Sequence, residues 1–154
     1  MADNTKKGIT LRRLIHIYLF LVYTGIVLTL TIFRRPVGSR EGIVHLYIKL
    51  GLGLKGGNPS LWGSTFGFYN VLLFIPLGIF IYLFFRNRCK KSGIVLATII
   101  GAGMSLAIET TQFITGRGMF ELTDLLTNTM GSLAGAALAA MISELNNRLK
   151  RSKQ

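Results

Sequence analysis

The chain has one cysteine, Cys89, among 154 residues, so an internal disulfide is excluded. It has two histidines, His16 and His45, in separate segments. Without ligand-spaced His or Cys pairs, neither a metal nor any other cofactor is expected. The one arrangement that uses a histidine, His45 with Glu109 and Asp124, lacks such spacing. No G-x-S-x-G, P-loop or Cys-x-x-Cys motif occurs, which removes the familiar nucleophile, nucleotide and redox signatures. There is no long repeat and no low-complexity stretch. Acidic residues are scarce: six Asp and Glu stand against 18 Lys and Arg, for a net charge of +12.

Half of the residues are hydrophobic and mean hydropathy is positive, at +0.48. These residues fall into four blocks, 14–33, 66–85, 94–114 and 122–142, each close to the roughly 20 residues that cross a bilayer. The fold class that follows is an all-α membrane protein with four transmembrane helices. Residues 14–142 form one membrane domain, flanked by basic tails at 1–13 and 143–154, the first expected to be loose. The first block is about 20 residues long and no small-x-small site precedes Arg34-Arg35, so it reads as an uncleaved span.

The charge is distributed as a topology signal. The N-terminal tail, the turn Arg86–Lys91 that also holds Cys89, and the C-terminal tail each carry four basic residues. Four crossings put all three on one side, which the positive-inside rule makes cytoplasmic, as are both termini. Membrane lipids are therefore the expected partners, anionic ones included, and nucleic acid is not. On the opposite side lies a long loop, 34–65. There Ile43, Leu46, Tyr47, Leu50 and Leu54 recur at helical spacing and predict an interfacial helix over about 41–54. Gly56-Gly-Asn-Pro59 ends it, and Trp62 precedes the second span at the depth where interfacial aromatics concentrate. In that span Pro76 frees the carbonyl of Leu72 and predicts a kink that neighbouring helices must compensate. In the fourth, Gly131 and Gly135 form a small-xxx-small pair that permits close helix approach.

Glu109 is the only charged residue between positions 94 and 114, and a charge at the centre of a spanning helix costs roughly 2.5–3.5 kcal/mol on insertion scales. At 1.5 Å per residue, Glu109 lies roughly 7–8 Å inside the outer end of its span and Gln112 roughly 3 Å. By the same rise, Asp124 and Asn128 lie roughly 3 and 9 Å inside the outer end of theirs, and Asn70 roughly 6 Å. All five share one level. Ser105, Glu109 and Gln112 share a helix face, as do Asp124 and Asn128. The expected result is a polar pocket that opens to the outside, with Arg117 in the connecting turn placed either to neutralise one of the two acids or to meet an anionic head group. The plainer reading is that the amides and Ser105 tie helices together by interhelical hydrogen bonds, each worth roughly 0.6–2 kcal/mol. Amides would do that without the ionisation cost of Glu109 and Asp124, which makes the two acids the main functional candidates.

Asn70-Val-Leu-Leu-Phe-Ile-Pro-Leu-Gly78, Ser105-Leu-Ala-Ile-Glu-Thr-Thr-Gln112 and Asp124-Leu-Leu-Thr-Asn-Thr-Met-Gly131 resemble, in order, the three signature blocks of the VanZ-like family. The likeness spans about residues 66–140. It implies a small multi-pass protein of the bacterial plasma membrane. It also implies low-level resistance to teicoplanin-type lipoglycopeptides, which act on cell-wall precursors. The family's polar signature positions correspond here to Asn70, Glu109, Gln112, Asp124 and Asn128. No reaction comes with the resemblance.

Three functions fit these residues. The first is a non-enzymatic resistance factor whose ligand-binding residues are Asn70, Ser105, Glu109, Gln112, Arg117, Asp124 and Asn128. Its ligand would be a lipid, a lipid-linked cell-wall precursor or a lipoglycopeptide. The second is an intramembrane enzyme acting on a lipid-linked envelope precursor, with Glu109 and Asp124 as catalytic acid and base. The third is a proton-coupled transporter with Glu109 as carrier, which at four spans per chain would require an oligomer. The oligomeric state is not readable from the sequence.

Overall fold

Each apolar block becomes a helix in the computed structural model, which describes residues 2–33, 37, 44–45, 61–86, 90–118 and 120–152. The helices are α1 (Ala2–Leu28), α2 (Leu61–Phe85), α3 (Lys90–Ile114) and α4 (Leu122–Arg151). A π-helical turn, Thr29–Phe33, continues α1. All four helices are long and apolar enough to cross a membrane. Phe68, Val95, Leu106 and Met141 are exposed on the outside of the bundle. Such a surface is unfavourable in water and natural against lipid tails.

The helices overrun the predicted spans. Residues 2–13, expected as a loose tail, are part of α1. No proline lies among them, and a formed span lets a helix propagate outward at little cost. Likewise α4 continues to Arg151. Beyond position 142 the Arg148 side chain reaches back 3.5 Å to Glu144, an i,i+4 pair. Basic Arg148, Lys150 and Arg151 sit in the last turn, where the helix dipole favours cations.

The expected interfacial helix over 41–54 is corrected where the structure describes it. Val44–His45 is an extended pair, β1, which runs parallel to β2 (Phe120–Glu121), with Val44 opposite Phe120 and His45 opposite Glu121. Its backbone is paired across the bundle end rather than within its own segment. The other residues of that segment, with Arg34, Arg35, Lys55 and Cys89, lie outside the described residues. The backbone of Trp62 belongs to the first turn of α2.

Packing is tightest where α2 and α4 meet, and α3 closes the triangle against both. The buried positions of α4, namely Asn128, Gly131, Ser132, Gly135, Ala136 and Ala139, recur at helical spacing and form one face. A Cβ at Gly131 or Gly135 would run into the backbone carbonyls of Val71 and Ile75 respectively. From the other side Gly78 meets the Ser132 carbonyl. Ser132 donates from Oγ to the Ala97 carbonyl at 2.9 Å, which ties α4 to α3. Phe74, Leu77, Ile81, Tyr82, Ala97 and Ala136 fill the space between the three helices.

α1 lies at the periphery. Among its described side chains and those of the π-turn, only Val27 and Ile32 are buried. It is held to α2 by the Tyr23 hydroxyl, which donates to the Leu73 carbonyl at 2.7 Å. That carbonyl adjoins the one on Leu72 that Pro76 deprives of its helical partner, and α2 stays helical through the proline.

Candidate functional site

At the end of the bundle where α3 turns into α4, the helices part around a cleft of about 770 Å³. Asn70 from α2, Glu109 and Gln112 from α3, and Asp124 and Asn128 from α4 all line it. Ser105 is not a lining residue. It is fully buried beneath the cleft, and its Oγ accepts from Asn128 Nδ2 at 2.9 Å.

The acids are held by backbone geometry. Glu109 is 2% exposed, and its Oε2 accepts the Glu121 N–H at 2.9 Å. Glu121 is the extended residue that starts α4, with φ −115° and ψ 115°, and its own side chain makes no cap. Glu109 thus reaches across from α3 to satisfy the backbone where β2 ends. Asp124 stands in the first turn of α4, where the helix N-terminus favours a negative group. That position gives Asp124 a structural reason to be acidic besides any ligand.

Gln112 organises the turn. Its Nε2 donates to the Thr31 carbonyl at 2.9 Å, which fastens α3 to the π-turn after α1. Its own carbonyl accepts the N–H groups of Arg117 (3.0 Å) and Gly118 (3.2 Å). Gly116, with φ 61°, supplies the left-handed residue that ends α3 and lets this closure form.

Arg117 is not brought into the cleft. Its guanidinium carbon stands 5.3 Å from the Phe33 ring centroid, and Nη1 lies 3.5 Å from the Ile32 carbonyl, at the long end for a hydrogen bond. It covers the carbonyl end of α1 and its π-turn, where unpaired acceptors collect.

The contribution of α1 and its π-turn was not expected from the sequence. Tyr23, Leu30 and Thr31 line the cleft, and Tyr69 joins from α2. A tyrosine in the middle of an apolar run was a readable signal for Tyr23. Thr31 gave none, because its role is to present a backbone carbonyl from a π-turn. Among the described residues, no group of three His, Cys, Asp or Glu is placed to hold a metal ion.

The sequence pattern of the VanZ/LLP1 family matches residues 20–143. A curated relative, Protein VanZ of Enterococcus faecium, is 32% identical over 81 residues, which cover 53% of this chain and 48% of that protein. The chain thus spans about half the length of the curated relative it matches. No solved structure matches it. With four spanning helices and a family pattern that runs from within α1 to within α4, the chain is a membrane protein that belongs to the VanZ/LLP1 family.

Proposed function

We propose that this chain is a non-enzymatic resistance factor of the bacterial plasma membrane. It lowers sensitivity to teicoplanin-type lipoglycopeptides by holding a lipid or a lipid-linked envelope ligand in the cleft. Both termini are cytoplasmic in this reading, because the basic segments demand it, and the cleft then faces outward. One observation carries the proposal: five polar residues from three different family signature blocks converge on a single cleft of about 770 Å³. A volume of that size is typical of a small-molecule site, and polar side chains that only pinned helices together would leave little space between them.

The test is a susceptible host that produces the chain, with the teicoplanin concentration that stops growth as the readout. Glu109→Gln with Asp124→Asn keeps shape and hydrogen-bond acceptors while it removes both charges. This double variant is expected to reach the membrane at normal levels and to lose protection. Full protection by a correctly inserted double variant would end the proposal that the acids are needed.

A second reading is favoured by the same convergence: Glu109 and Asp124 line one cleft and would serve as acid and base toward a lipid-linked precursor. Incubating purified protein with such precursors and following their mass decides it. A product that the double variant fails to make would replace the binding proposal with the enzymatic one.

A further inference from the structure

α1 changes partner along its length. Near mid-membrane it packs on α2, where the Tyr23 hydroxyl meets the Leu73 carbonyl and the Tyr23 ring lies 5.9 Å from that of Phe80. About two turns further on, the π-turn packs on α3 instead, fastened by Gln112 to the Thr31 carbonyl. Between these two anchor points α1 and α2 part, and the cleft lies between them. Leu30 of the π-turn forms one edge of the gap, and Tyr69 and Leu72 of α2 form the other. All three line the cleft, yet they are 46%, 61% and 45% exposed. Side chains walled into a closed cavity would not keep about half of their surface open. Among the described residues, the cleft therefore opens sideways between α1 and α2.

That opening lies at membrane depth. Counted from the span ends at 1.5 Å per residue, Leu30 and Tyr69 are roughly 4–5 Å deep, Leu72 roughly 9 Å, Leu73 roughly 10 Å and Tyr23 roughly 15 Å. Gln112 and Asp124, roughly 3 Å deep by the same rise, stand at the mouth. Of the deeper polar groups, the Tyr23 hydroxyl and the Asn128 amide nitrogen donate within the protein, to the Leu73 carbonyl and Ser105 Oγ. The cleft thus runs from a polar mouth to an apolar floor, the order in which a lipid places its head group and chain. An apolar gap that opens into a bilayer does not fill with water. Left empty, its walls would forfeit their dispersion contacts, and a hydrocarbon chain restores them. A chain moves there from the bilayer without meeting water, because lipid tails are as apolar as leucine. A ligand without a chain would leave Leu72, Leu73 and Ile108 uncovered.

We infer that one hydrocarbon chain of a bilayer lipid enters through the gap between α1 and α2 and lies against Leu72, Leu73, Ile108 and the Tyr23 ring, with its head group at the polar mouth. This rests on the proposed ligand-binding role and specifies the class of ligand and its route. The ligand is a lipid taken sideways from the surrounding leaflet, and not a solute taken from water.

The test is photolabelling of the protein in phosphatidylglycerol vesicles, part of whose lipid carries a diazirine midway along one acyl chain. Peptide mass spectrometry then locates the adducts. They are expected on Tyr23 and Leu73 inside the gap, as well as on the lipid-facing Val95 and Leu106. Leu72→Trp, alone or with Leu30→Trp, narrows the gap at exposed positions. These variants should lose the inner adducts and keep the outer ones. Val95→Trp adds the same bulk away from the gap and should keep both sets. Inner adducts that survive in the narrowed variants overturn the inference. So does a parent chain labelled on its outer face and not at Tyr23 or Leu73. If the inner adducts are missing and Glu109→Gln with Asp124→Asn still abolishes teicoplanin protection, the ligand-binding proposal stands without the lateral chain. If the inner adducts form and respond to narrowing while that double variant protects fully, the chain is in place and the required role of the acids falls.

Discussion

Gly135→Ala asks how much of this protein's stability rests on direct backbone contact between α2 and α4. The added methyl would sit 2.8 Å from the Ile75 carbonyl carbon and 3.0 Å from its Cα, with the carbonyl oxygen closer still. Relaxed carbon contacts lie at about 3.5–4.0 Å, so the two helices must part by about 1 Å at this point. The obstacle is backbone, so no change of rotamer relieves it. Overpacking of this kind costs about 1–3 kcal/mol. A gap of that width also forfeits a quarter to a half of the dispersion energy of contacts along the seam, and in lipid such contacts are the main force between helices. Against this, alanine is the better helix former by about 0.8–1 kcal/mol. The net expectation is a loss of about 2 kcal/mol, or roughly a 30-fold fall in the folded-to-unfolded ratio. Gly103→Ala is the control, since a Cβ there meets nothing within 4 Å. It should leave stability unchanged or raise it by up to about 1 kcal/mol. The assay is reversible unfolding of both variants in bicelles, by denaturant titration or steric trapping. If Gly135→Ala is as stable as Gly103→Ala, the α2–α4 seam is not the close-packed contact described.

Other substitutions separate structural from ligand-facing roles. Tyr23→Phe should cost about 0.5–1.5 kcal/mol in the same unfolding assay, because it removes the hydroxyl that holds α1 to the Leu73 carbonyl. Ser132→Ala should cost about 0.6–1.7 kcal/mol through the lost bond to the Ala97 carbonyl, and should leave lipid binding intact. Glu109→Gln keeps an acceptor for the Glu121 N–H, so stability should hold. Glu109→Leu leaves that donor unpaired and should cost about 1–3 kcal/mol. Gln112→Leu frees the Thr31 carbonyl. Faster hydrogen exchange over 29–33 than in the parent chain is the expected sign, and unchanged exchange would mean that Gln112 does not secure the π-turn.

Periodicity and depth made part of this molecule readable. The four helices follow from apolar runs of membrane length, and the shared level of Asn70, Glu109, Gln112, Asp124 and Asn128 follows from rise per residue once the crossings alternate. Gly131 and Gly135 were legible because small residues four apart have one common use in lipid. What escaped had no local signature. Val44–His45 carries a helical pattern, and its extended form depends on the partner strand at Phe120–Glu121, more than 70 positions away. Arg117 was expected at the pocket, to neutralise one of the carboxylates or to meet an anionic head group, because charge alone was considered. The structure sends it to the carbonyls at the end of α1, a demand set by the π-turn and not written near Arg117 in the sequence. The joining of Glu109 to the Glu121 backbone was equally hidden, since a backbone donor leaves no mark on residue type.

The irregular backbone is not spread evenly, and its location bears on which end of the bundle works. The π-turn lines the cleft, and the extended pair β1–β2 and the left-handed Gly116 flank it, where α3 turns into α4. Non-helical backbone at membrane depth is tolerated only where protein or a polar cavity satisfies it, and π-turns are frequent at functional sites. Away from the cleft, α2, α3 and α4 run unbroken and are joined through glycine, alanine and serine at backbone distance. Of the three buried polar atoms without partners among the described residues, Asn128 Oδ1 and Arg117 Nε are at the irregular end, and Thr24 Oγ1 lies in α1. A bundle that needed only to stand in the membrane could join its helices through amides and hydroxyls, without the cost of placing the ionisable Glu109 and Asp124 at membrane depth. The regular half is therefore the support, and the cost concentrated in the other half is the physical reason to look for a ligand there.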